Sequence, residues 1–140
     1  MTDALAVIGD RYSLPLIREL AYGFHRFSDL ATLTGAPRTL LTGRLRKLEE
    51  AGVLERRQYS EHPPRFSYHL TDAGYDLVPV LLTLKAWGEK HTGDGLPKAV
   101  FAHTCGAELQ PVTSCGACGE TLVPGAFTVS GGTHPPVLPG

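Results

Sequence analysis

Arg44-Leu-Arg-Lys-Leu-Glu-Glu-Ala-Gly-Val-Leu-Glu-Arg-Arg-Gln-Tyr59, then Ser-Glu-His-Pro-Pro64, then Arg65-Phe-Ser-Tyr-His-Leu70, is the stretch on which the fold turns. Its first part continues a helix that begins near Pro37, a residue suited to the first helical position because its missing N–H costs nothing there. At roughly 100° per residue, Leu41, Leu45 and Leu48 share one narrow sector with Pro37 beside it. Thr39, Thr42, Gly43, Arg46 and Lys47 lie on the opposite face, with Arg38 and Arg44 flanking it. Gly52 reads as the left-handed stop after Ala51. Two short strands follow, 53–59 and 66–70, the second alternating Phe66, Tyr68 and Leu70 with Ser67 and His69. In that pattern His69 is a solvent-side strand residue rather than a ligand.

A helix with one apolar stripe, a glycine stop and a hairpin with a basic tip match the order of a winged helix-turn-helix. That fold lays its helix in a major groove and its hairpin on the flanking backbone. The fold class is therefore α+β. Pro63 and Pro64 fix φ in the hairpin loop and present Arg65 at lower ordering cost. Gly43 costs about 1 kcal/mol against alanine inside a helix. Two readings of it stand at even weight, a close approach to DNA and tolerated drift.

Upstream, Ser28 is the expected N-cap of the preceding helix, and Thr34-Gly35-Ala36 is its turn. A helix N-terminus near Ser28 also suits a phosphate. Downstream, Thr71 caps a helix expected over residues 72–91, with Pro79 bending it or splitting off its first turn. Leu77, Val80, Leu81, Leu84 and Trp87 recur along it at three- and four-residue spacing. Part of that stripe packs on its own core. The rest is expected to meet the N-terminal helix (Leu5, Val7, Ile8) and a second subunit, giving a two-fold dimer and a palindromic operator.

The net charge of −1 over 140 residues looks wrong for a DNA partner until it is divided. Residues 37–69 hold seven basic side chains against four acids, whereas from Gly93 onward Lys98 faces Asp94, Glu108 and Glu120. The local sign is right for phosphate. No apolar run is long enough for a membrane span and no signal segment opens the chain, so a cytoplasmic location is expected. Phosphate loops, G-x-S-x-G elbows and H-E-x-x-H motifs are all absent, which argues against an enzyme.

The motifs then become specific. Gly23-Phe-His-Arg-Phe-Ser-Asp-Leu30, Leu41-Thr-Gly-Arg-Leu-Arg-Lys-Leu-Glu-Glu-Ala-Gly-Val-Leu-Glu-Arg-Arg57, Pro63-Pro-Arg-Phe-Ser-Tyr-His-Leu-Thr-Asp-Ala-Gly74 and Leu84-Lys-Ala-Trp-Gly88 appear in order. Over residues 4–91 the chain resembles the HxlR family of winged-helix transcriptional regulators. The resemblance implies a homodimer on double-stranded DNA. Thr39, Thr42 and Arg46 are the candidates for base edges, with Arg38 at the helix start and Gly43 at the closest approach. Arg26, Arg44, Arg57 and Arg65 are candidates for phosphate or minor groove, together with the helix start at Ser28. Tyr12 stands where members usually carry tryptophan. No cysteine precedes Cys105, so the N-terminal thiol some members use for sensing has no counterpart. A small-molecule effector at the dimer interface and a signal received by the tail both stay open, as does a winged helix that docks protein instead of DNA.

Residues 1–92 thus form the DNA-binding and dimerisation domain and 93–140 a Gly/Pro-rich extension with a zinc-ribbon-like core over about 99–123. His103-Thr-Cys105-Gly and Cys115-Gly-Ala-Cys118-Gly supply three thiols, and a structural zinc takes four ligands. By analogy with C-x-x-C-G the fourth belongs at position 102, which is Ala102. His103 next door is the substitute for one zinc per chain, with His134 a distant second choice. A metal-free folded ribbon, a Cys115–Cys118 redox pair that would make the protein a thiol- or metal-responsive sensor, and a poorly ordered tail are the other readings.

Overall fold

A computed structural model describes residues 2–93 and 99–128 of the chain. In order along the sequence come α1 (Thr2–Ile8), α2 (Ser13–Ala21), α3 (Phe27–Thr34), α4 (Arg38–Glu50), β1 (Leu54–Glu61), β2 (Pro64–Leu70), α5 (Asp72–Tyr75) and α6 (Val78–His91). The chain forms two compact units, 1–85 and 86–140, divided inside α6.

In the first unit Leu16, Ile17 and Leu20 from α2 meet Leu30 from α3 and Leu41, Leu45 and Leu48 from α4. Val53, Leu54 and Leu70 close that core at the base of the hairpin. Burying one such leucine stabilises the fold by roughly 1.5–3 kcal/mol. The α4 stripe faces inward as its periodicity requires. Pro37 sits one position earlier than expected, as the N-cap, and Gly52 follows the Ala51 C-cap at φ +73°.

The hairpin is antiparallel, with Leu54 opposite Leu70 and Glu61 opposite Pro64. Its strands run to the tip, past the expected limits at Tyr59 and Phe66, because an irregularity between Gln58 and Ser60 absorbs Tyr59 and lets pairing resume. The expected 72–91 helix is broken. Thr71 caps α5 by accepting from the Gly74 N–H at 3.3 Å, and α6 restarts one residue before Pro79. No residue of α6 is buried.

The second unit contains two tight turns, each closed by an isolated bridge, Ala102 to Glu108 and Ser114 to Thr121. No described helix is long and apolar enough to cross a membrane.

Candidate nucleic-acid interface

With Leu41, Leu45 and Leu48 committed to the core, α4 turns Thr39, Thr42, Gly43 and Arg46 outward, all exposed. Nothing lies within 4 Å of the position a Cβ would take on Gly43, so packing inside the protein does not require glycine there. The Thr42 hydroxyl donates to the Arg38 carbonyl at 3.0 Å. Arg46 Nε donates to Glu50 at 2.9 Å in an i,i+4 pair, its side chain 80% exposed. Such exposed pairs contribute at most about 1 kcal/mol, so the Arg46 guanidinium can exchange the carboxylate for another acceptor at little cost. Arg38 lies over the Phe27 ring at 4.9 Å, which joins the start of α4 to the start of α3.

The wing is tied to the helices by backbone. Tyr68 N–H donates to the His25 carbonyl at 2.9 Å, and Arg26 bridges Ser67. Arg26 thereby becomes the extended N-cap of α3, which begins at Phe27. The expectation that Ser28 caps this helix is corrected: Arg26, held in β conformation by the wing, starts the helix earlier and leaves Ser28 exposed in its first turn. The Arg26 guanidinium lies 5.3 Å over the Tyr59 ring, Arg57 pairs with Glu55 at 2.7 Å, and Arg65 stands exposed beside the tip.

Two wing-side histidines form a feature that strand alternation did not reveal. His25 Nδ1–H donates to the Tyr68 carbonyl at 2.8 Å, and His69 Nε2 shares a 2.9 Å hydrogen bond with the Ser67 hydroxyl. Their rings stack with centroids 4.2 Å apart. His69 is therefore half-buried at the wing junction, not a solvent-side residue. Burial, then the His25 ring, then Arg57 hold its imidazole below the usual 6.5, with Glu55 opposing.

Arg44 has a different task from that of its neighbours. Its Nε lies 3.3 Å from Asp10 Oδ1, buried and outside hydrogen-bonding alignment, so the pair is held by charge. Asp10 also accepts from the Tyr12 and Ser13 backbone N–H groups, both at 3.0 Å, and so closes the open start of α2. Burial works to raise the Asp10 carboxyl, but the Ser13 hydroxyl, those two N–H groups and Arg44 outweigh it and hold it below 3.8. Arg44 thus anchors α4 to the turn before α2. An aspartate accepting from the backbone N–H groups two and three residues on is the local signal for this turn.

In the second unit all three cysteines are free thiols, Cys105 and Cys118 exposed and Cys115 half-buried, with His103 exposed beside Cys105. Each turn carries two potential donors, and among the described residues no three His, Cys, Asp or Glu side chains gather as a metal site. His134 lies outside the described residues.

Residues 7–95 match the HxlR-like helix-turn-helix family. Over 121 residues the chain is 40% identical to the uncharacterized HTH-type transcriptional regulator Rv3095 of Mycobacterium tuberculosis, covering 85% of this chain and 77% of that protein. Among solved structures it is similar to the candidate transcription factor PA1607, at 28% identity and a TM-score of 0.79 over 90% of this chain and 89% of that one. It is also similar to the candidate transcription factor PA1374 of Pseudomonas aeruginosa, at 30% identity and a TM-score of 0.67 over 94% and 90%. These likenesses run past residue 95 into the extension, whereas the family match is confined to the helices and wing. The chain belongs to the HxlR-like helix-turn-helix family and is a DNA-binding transcriptional regulator.

Proposed function

We propose that the protein acts as a homodimer on a palindromic operator, with one α4 in each of two successive major grooves and each wing on the adjoining backbone. The division of α4 carries this reading: Leu41, Leu45 and Leu48 are buried, while Thr39, Thr42, Gly43 and Arg46 form an open polar face. Thr39, Thr42 and Arg46 read base edges. Arg38, Arg26, Arg57 and Arg65 meet phosphate or minor groove, and Arg44 acts through Asp10 as a positioning residue.

The dimer reading rests on α6 and α1. Val80, Leu84 and Trp87 on α6 are 49%, 49% and 56% exposed, and Leu5 on α1 is 57% exposed. Large apolar side chains repeated along one helix call for a partner surface.

Binding titrations on a selected operator and its single-base variants test the docking. Arg46→Ala is expected to cost about 1–3 kcal/mol and relax preference at one base position. Arg65→Ala is expected to weaken binding evenly across sequences and reduce the salt slope by about 1. Wild-type affinity in both variants would overturn the docking. No operator binding even at low ionic strength would point to a protein partner instead.

A further inference from the structure

The two turns of the extension have the same backbone wiring. In the first, His103 N–H donates to the Ala107 carbonyl at 2.8 Å and Gly106 N–H to the His103 carbonyl at 2.9 Å. In the second, Cys115 N–H donates to the Glu120 carbonyl at 2.8 Å and Gly119 N–H to the Cys115 carbonyl at 2.7 Å. The outer rungs match as well, Leu109 N–H to Phe101 and Leu122 N–H to Thr113. Gly106 and Gly119 both adopt positive φ, +91° and +77°. This pattern aligns His103 with Cys115, Cys105 with Cys118 and Gly106 with Gly119. The first loop is simply one residue shorter, so the counterpart of Cys115 is His103 and not Ala102.

The side chains repeat the correspondence. Cys105 N–H donates to His103 Nδ1 at 3.2 Å. In the second turn the backbone N–H groups of Ala117 and Cys118 face the Cys115 sulfur. Two such turns, each offering two donors from a set of three thiols and one imidazole, match the Cys₃His composition of structural zinc sites.

We propose that His103 and Cys105 from one turn and Cys115 and Cys118 from the other bind a single divalent zinc ion. The metal draws the two pairs together, so binding is coupled to ordering of the extension. Three thiol protons leave to solvent as three sulfur–metal bonds form, and the neutral imidazole binds through a nitrogen lone pair. His103 Nδ1 has one lone pair, already used by the Cys105 N–H. Ligation therefore costs that hydrogen bond by either route, directly through Nδ1 or through Nε2 once the ring proton moves to Nδ1, and the imidazole is the weakest of the four ligands.

The test is cobalt titration of the reduced, metal-stripped full chain, followed by displacement with zinc. One equivalent per chain is expected, with tetrahedral bands and charge-transfer intensity for three thiolates. Cys105→Ser and Cys118→Ser should each remove about a third of that intensity. His103→Ala should keep the thiolate bands but release metal to a weaker chelator, and Glu108→Gln should match the parent. No stoichiometric cobalt uptake would overturn the site, as would a Cys105→Ser spectrum unchanged from the parent. Isolation of the reduced chain with Cys115 and Cys118 rapidly reoxidising to a disulfide in the presence of zinc would also overturn it. The readout involves no DNA, so either result leaves the α4 docking to its own test.

Discussion

Two glycines separate what folding needs from what binding needs. A Cβ on Gly74 would sit against the Val53 carbonyl oxygen and 2.9 Å from Leu70 Cδ2, while one on Gly43 would meet nothing within 4 Å. Gly74→Ala is therefore expected to lower stability by about 1–3 kcal/mol through overpacking. Gly43→Ala should raise the melting temperature of the free protein, since alanine is favoured in a helix by about 1 kcal/mol. The same change should weaken operator binding, because the added methyl faces the groove. Thermal melts paired with binding titrations check both. A Gly43→Ala protein that is more stable and binds as before would leave the glycine without a role at the groove. His69 gives a third test at this scale. Its folded pKa lies below 6.5, so the folded state takes up a proton less readily than the unfolded chain. Its contribution to stability is full above 6.5 and is lost as pH falls from there through the folded value. Melting temperature should drop as pH falls below 6.5, and His69→Gln should flatten that drop. Asp10 follows the same sign but acts only below 3.8.

Among the elements, those governed by local periodicity were legible in the sequence and those governed by long-range contact were not. Leu41, Leu45 and Leu48 defined the buried face of α4, and Gly52 its end, because helix geometry alone ties spacing to direction. Thr71 and Pro79 likewise announced the cap of α5 and the break before α6. The start of α3 was misread because its cap is set by a bridge from Arg26 to Ser67, across the whole of α4 and β1. The His25–His69 stack and the Arg44–Asp10 pair depend on similar separations, and no pattern within a single element encodes them. In the extension, counting residues pointed to position 102, but the hydrogen-bonded frame makes His103 the counterpart of Cys115, since a turn one residue shorter shifts the correspondence.

For the whole molecule the question is what covers α6. Leu84→Glu keeps a good helix former in place while setting a charge on the exposed stripe. Sedimentation should show it shifted from dimer toward monomer, with an unchanged helical signal and weaker operator binding. An unaltered sedimentation profile would move the dimer contact elsewhere. The charge distribution belongs to this scale too. With a chain total of −1, phosphate affinity depends on concentrating basic residues between Pro37 and His69 and on presenting two such surfaces at once. Two α4 helices bound one helical turn apart, about 34 Å, would place that charge on one side of the duplex. The most direct measurement is selection of bound sites from random duplex DNA by the full-length protein, at low and at moderate salt. The account predicts a two-fold symmetric motif with half-sites about one turn apart, altered at a defined base pair by Arg46→Ala. Recovery of duplexes with no enriched motif at either salt concentration would contradict it.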